Sequence, residues 1–114
     1  GYSAKTAKMG WLNIAYKFAG TAQASITFTA EGANPNYIDI YIIFNELHSY
    51  IKVDNLQATA LPTGEDITVF AIAKTSDGQM QYFKNDYVTT SQMSVELEMT
   101  STSETEILNI MTAL

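Results

Sequence analysis

His48 is the single histidine of the chain, two residues after Glu46 and close to Asn45. An imidazole beside a carboxylate is the minimum for acid–base work, but catalysis also needs a companion group and an enclosed pocket. One histidine in a turn-like stretch cannot complete a Ser/His/Asp set, and no serine occupies a G-x-S-x-G turn. His48 is therefore read as an exposed loop residue, and no catalytic residue is expected.

The carboxylates offer metal chemistry at most. Glu65 and Asp66 stand at one end of an apolar run and Asp77 at the other, so they cannot converge. Asp54 with Asn55, or Asp86 with Asn85, supplies oxygen atoms of the type that calcium prefers. Neither pair follows the spaced acidic loop of a dedicated calcium site. Solvated turn residues are the expected reading of both. With no cysteine and one histidine, a structural zinc site lacks ligands. The segment Glu31–Asn36 has one glycine and no lysine, so it is no phosphate cradle. No metal and no cofactor are expected.

The elements that position these groups read as β-strands. Asp66–Lys74 alternates Ile67, Val69, Ala71 and Ala73 against Thr68, Phe70, Ile72 and Lys74. Leu61-Pro62-Thr63-Gly64 before it combines a fixed φ with a glycine that tolerates positive φ. Ser76-Asp77-Gly78 after it carries the Asp-Gly pair of tight hairpins, and Met80–Val88 is again aromatic and β-prone. Upstream, Tyr37–Phe44 is the most hydrophobic strand. Asp39 marks its outward side, placing Ile38, Ile40, Ile42 and Phe44 in the core. Ala24–Ala30, with Ile26 and Phe28 inward, a short edge-type Tyr50–Val53 and Leu56–Leu61 complete the set. Trp11–Phe18 alternates like a first strand, with a helix as its competitor, and Gly20-Thr21 turns the chain. About seven antiparallel strands in this order predict an all-β sandwich with Greek-key connections.

The pattern from Leu61 through Ala73, followed by Asp77-Gly78, resembles the E–F turn and F strand of fibronectin type III-like modules. It is most similar to those of secreted proteins and surface lipoproteins of gut bacteria. The resemblance is best over Leu56–Thr90 and extends more weakly back to about Trp11. It implies an Ig/fibronectin III-like sandwich at residues 11–90. Where this chain has Ile67 the family usually has a tyrosine, whose hydroxyl ties the corner to upstream backbone. The family's strand-B tryptophan would fall near Ala30, whereas the one tryptophan here is Trp11.

Composition fits one extracellular-type domain. The chain has 114 residues, 46% of them hydrophobic, a net charge of −6 and no cysteine. That length suffices for one buried core, and the negative charge repels phosphate backbones and anionic membranes, so no nucleic-acid partner is expected. No apolar run is long enough to span a bilayer. Residues 1–10 read as a flexible leader, with Gly1 the remnant of a cleaved tag. The expected setting is extracellular or cell-surface, with lipid anchoring through a removed upstream segment as a variant of it.

Residues 91–114 exceed the sandwich template. Met93–Met99 alternates like an extra strand, and Thr100–Glu104 reads as a polar spacer. Ile107, Leu108, Ile110, Met111 and Leu114 then recur at helical spacing, with Ser103 and Glu106 placed as a capping box. A strand over Glu106–Met111 competes with that helix. The segment either caps this fold or opens a further module.

Alternation leaves an apolar stripe on the outer side of the sheet. If Ile38 and Ile40 point inward, Tyr37, Tyr41 and Ile43 point outward, joined by Phe70, Ile72 and Tyr82. Such a stripe is too apolar for free surface. Three occupants are open: the terminal segment Ile107–Leu114, another domain or second copy, or a glycan stacked on tyrosines. These six residues are the candidate interaction face. The expected function is a non-catalytic structural or adhesive module of a bacterial surface protein. The alternative is a carbohydrate-binding module of a glycan-processing system.

Overall fold

The computed structural model describes residues 12–13, 22–30, 38–75 and 77–114. The expected leader 1–10, the rest of Trp11–Phe18, Gly20-Thr21, the loop Glu31–Asn36 and Tyr37 lie outside the described residues.

The alternating run Asp66–Lys74 is a strand, β6, with these same bounds, and it is the centre of the fold. All seven residues between its two exposed ends are buried. A strand apolar on both faces has to be covered on both sides, and β6 is.

Nine strands are described. They are β1 (Leu12–Asn13), β2 (Ala22–Thr29), β3 (Ile38–Phe44), β4 (Ser49–Val53), β5 (Gln57–Pro62), β6, β7 (Met80–Val88), β8 (Met93–Glu96) and β9 (Thr100–Thr102). One helix, α1 (Glu104–Ala113), follows. A six-stranded sheet runs β1-β4-β3-β6-β7-β9, and a three-stranded sheet runs β5-β2-β8. The two pack as a sandwich, so the all-β architecture stands.

The ladders are antiparallel except for two. β1 pairs with β4 in parallel, and β8 pairs with β2 in parallel, Ile26 opposite Met93 and Phe28 opposite Val95. The expectation of antiparallel strands alone is corrected on this point. Alternation marks a strand, but it encodes neither its neighbour nor its direction.

Between the sheets lies the inner core. The small sheet contributes Ile26, Phe28, Ala58, Leu61 and Val95; the large sheet contributes Ile40, Ile42, Phe44, Ile67 and Val69, among others. Ile40, Ile42 and Phe44 sit where alternation places them, while Ile38 is only partly buried at the margin.

Residues 93–102 form a strap that changes sheets. β8 pairs with β2, Leu97 donates its N–H to the Thr29 carbonyl at 2.7 Å, and β9 then pairs with Met80–Tyr82 of β7. A strand that switches sheets closes one side of a sandwich. The Thr100–Thr102 stretch is therefore a strand and not a spacer: three β-branched or small polar residues suit a short sheet edge. Val95 and Leu97 are buried in the inner core, so this segment packs into the same body as β2–β7.

The turn before β6 behaves as its residues dictate. Gly64, at φ +76°, follows Pro62-Thr63 and leads into β6. Between β6 and β7 the loop is longer than a two-residue hairpin. Thr75 exchanges hydrogen bonds with Gln79, and Asp77 accepts from the Thr75 hydroxyl and the Gln79 N–H. These bonds hold the Asp77 carboxyl below the usual range, the Thr75 hydroxyl contributing most.

Candidate functional site: the helix-covered sheet face

The second side of β6 forms the site. Pairing puts Tyr41 opposite Phe70, Ile43 opposite Tyr50, and Ile72 opposite Tyr82, so all six share the outer face of the large sheet. α1 lies over this face. Ile43, Tyr50, Phe70 and Ile72 form one buried cluster with Ile107 and Met111 of the helix. Tyr41, Met80, Tyr82, Ile110 and Leu114 pack around it, partly buried.

The helix forms for local reasons. The Ser103 hydroxyl accepts the Glu106 N–H at 3.2 Å, the N-cap arrangement that spacing predicts. The reciprocal half of a capping box is replaced: the Glu106 carboxylate accepts from the Thr102 hydroxyl at 3.1 Å. Glu104 and Glu106 place negative charge in the first turn, where the helix dipole favours it. Ile107 and Met111, four residues apart, fall on one face and are the two fully buried side chains.

Of the six candidate face residues, Ile43, Phe70 and Ile72 lie beneath α1 at 1–4% exposure. Their outward orientation on the sheet is as alternation places it, but helix and not solvent meets them. Tyr41 and Tyr82 stay partly accessible at the margins, and Tyr37 lies outside the described residues. Tyr50, read above as part of an edge-type strand, belongs to this face and is 5% exposed. Its alternation with Ile51 and Val53 is the signal for it. Met80 was likewise missed, because a strand's first residue gives no side preference by itself.

A tyrosine pair marks one margin. Tyr41 and Tyr50 meet edge to face, with centroids 6.0 Å apart and planes at 65°. Partial burial, reinforced by Asp39 and then Tyr50, pushes the Tyr41 phenol up to about 12. Beside it Lys52 pairs with Asp39 at 3.3 Å, both exposed, a contact of little energetic weight.

The other margin is polar. Asn45 Nδ2 donates to Thr68 Oγ1 at 3.1 Å, and Thr68 donates to Asp86 Oδ1 at 2.6 Å. Thr68 is buried, so this chain satisfies a hydroxyl that would otherwise be orphaned. Next to it opens a cleft of about 390 Å³ between Asn45, Asp66, Ile67, Asp86, Tyr87 and Val88. Asn85 and Asp86 are thus strand residues, not turn residues as expected. Asn85 Oδ1 accepts the Asp86 N–H at 3.0 Å, which occupies an edge donor of β7.

The remaining chemistry-bearing residues do not join this site. His48 is exposed in the turn between β3 and β4 at φ +51°, and Asp54 is exposed at the β4–β5 turn. Among the described residues no group of three or more His, Cys, Asp or Glu side chains is placed to hold a metal ion. No described helix is long and apolar enough to cross a membrane.

No family model, curated protein or solved structure matches the chain.

Proposed function

We propose that this chain is a non-catalytic structural or adhesive interaction module of an extracellular bacterial surface protein, one that docks other protein domains or a second copy of itself. The observation that supports this most is the outer sheet face. Ile43, Phe70 and Ile72 interleave with Tyr41, Tyr50 and Tyr82, and an amphipathic helix is seated on them. A surface that accepts one apolar helix face has the chemistry of a protein-docking surface. Sugar-stacking sites use open aromatic rings, whereas isoleucines interrupt the rings here and the helix covers the centre. The Ig/fibronectin III-like label and the surface localisation rest on the sequence resemblance and the Ser/Thr-rich, charge-poor composition.

One observation keeps the carbohydrate reading in play: Tyr41 and Tyr82 remain partly accessible beside the helix. Calorimetric titration of the intact chain with soluble glycans separates the two. The docking reading expects no saturable heat. Saturable binding that disappears in Tyr41→Ala would replace it with the carbohydrate-binding module.

A further inference from the structure

The two hydrophobic clusters are separate bodies. The inner core draws on β2–β6, β8 and Leu97, and none of its members comes from α1. The outer cluster contains every fully buried residue of α1 and closes only when the helix is down. Undocking α1 therefore breaks the second cluster and leaves the sandwich between the sheets intact.

The helix is also poorly able to persist by itself. It has ten residues, and four of them, Thr105, Ile107, Ile110 and Thr112, are β-branched. Isolated helices shorter than about 12–15 residues are marginal in water. Packing against the sheet holds it, through Ile107 and Met111 above all. Upstream, its tether is β9, a three-residue strand at the sheet edge, with non-strand residues 97–99 before it.

The contact already made tells what the vacated face accepts. Lys52, Lys74 and Lys84, the three described lysines, all stand on the outer face: Lys52 opposite Tyr41, Lys84 opposite Phe70, and Lys74 in line with Ile72 along β6. Lys74 pairs with Met80, which pairs with Thr102, one residue before the N-cap. The acidic first turn of α1, Glu104 and Glu106, thus begins at the Lys74 row. Asp39, paired with Lys52, and Asp86 share this face, so its charge is mixed, and what matches the helix is the apolar strip that Ile107 and Met111 already fill. That helix is present in every copy of the chain.

We propose that α1 is an exchangeable cover: it leaves the outer face of the six-stranded sheet, and the vacated face takes the α1 of a second copy of this chain. Reciprocal exchange reuses one contact twice, the economical route to a closed dimer. The segment from Thr100 onward moves as a unit, while Leu97 stays anchored in the inner core. This rests on the protein-docking reading above and names its partner.

The test uses the full chain and a labelled peptide spanning residues 103–114. In I107D/M111D the resident helix no longer competes, so peptide affinity rises at least about tenfold over wild type. Wild-type chain held warm at high concentration accumulates dimer by light scattering, and excess peptide suppresses it. Hydrogen exchange on the wild type supplies a readout that does not depend on the variant's folding: α1 amides exchange through a local opening, while those of β3 and β6 require global unfolding. Equal protection of α1 and β6 overturns the proposal, as does a folded variant that does not take up peptide. Peptide uptake by a chain that stays monomeric at every concentration overturns the second-copy assignment. Glycan binding lost in Tyr41→Ala sinks the docking reading separately and leaves the exchange measurement readable.

Discussion

The Thr89 hydroxyl donates to the Pro62 carbonyl at 2.7 Å and also accepts the Glu65 N–H at 2.9 Å. Thr89 is 2% exposed, and its backbone completes the clamp: its carbonyl accepts from Gly64 N–H and its N–H donates to the Glu65 carbonyl. A side chain following β7 thereby fixes the turn between β5 and β6. The resemblance to fibronectin-like modules implies a tyrosine-hydroxyl tie at the position of Ile67. Here Ile67 faces the core, and the tie comes from a threonine 22 positions further on.

Thr89→Val keeps the shape and removes the hydroxyl, leaving the part-buried Glu65 N–H and Pro62 carbonyl without that partner. The expected cost is about 1–3 kcal/mol, read by urea denaturation with an unchanged slope. A loss under a few tenths of a kcal/mol would mean that water replaces the hydroxyl and the corner is not clamped.

Ala60 holds φ at +61° in the exposed part of β5. An L-residue in that region carries about 1–2 kcal/mol of strain that glycine lacks, so Ala60→Gly is expected to stabilise the chain by up to about 1 kcal/mol. Gly64→Ala is the counterpart. A Cβ there meets no atom within 4 Å, so its loss of stability, again about 1 kcal/mol, reports backbone conformation alone. Opposite signs for these two substitutions are the expected result in thermal denaturation.

Tyr41 gives the fold an alkaline limit. Its folded value of about 12 exceeds the ordinary 10.0. Below pH 10 the phenol is neutral in both states and the folded chain keeps its full advantage. Between 10 and 12 the unfolded chain ionises first, so stability falls as pH rises through that window. Spectrophotometric titration should show Tyr41 ionising about two pH units late, and Tyr41→Phe should remove that step. Ordinary titration of every tyrosine would contradict the burial of Tyr41 beside α1.

Much of this architecture is legible in the residues. β6 has the bounds that alternation gives, because turn chemistry flanks it at both ends, and β7 spans the aromatic, β-prone run that follows Asp77-Gly78. The capped helix follows from Ser103 and the four-residue spacing of Ile107 and Met111. The outward stripe of Tyr41, Ile43, Phe70 and Ile72 is legible too, since a two-residue period assigns sides. What alternation cannot carry is partnership. Val95 and Leu97 look like any edge strand, and nothing local tells that β8 runs parallel to β2 or that β9 returns to β7. The same holds for the partner of Tyr50: alternation gives its side, but only the register sets it opposite Ile43. Thr89 gives no periodic signal at all, because its role is set by a turn distant in sequence.

The most direct measurement is the solution mass and far-UV spectrum of the chain ended after Thr102. Ending it earlier, after Thr90, would also remove Val95 and Leu97 from the inner core and confuse the two clusters. The account predicts a retained β spectrum, because the inner core keeps all its members. It also predicts self-association and lowered solubility, because Ile43, Phe70 and Ile72 lose their cover. A chain that unfolds outright would contradict the separation of the two clusters. A stable, soluble monomer would contradict the outer face as a surface that must be covered.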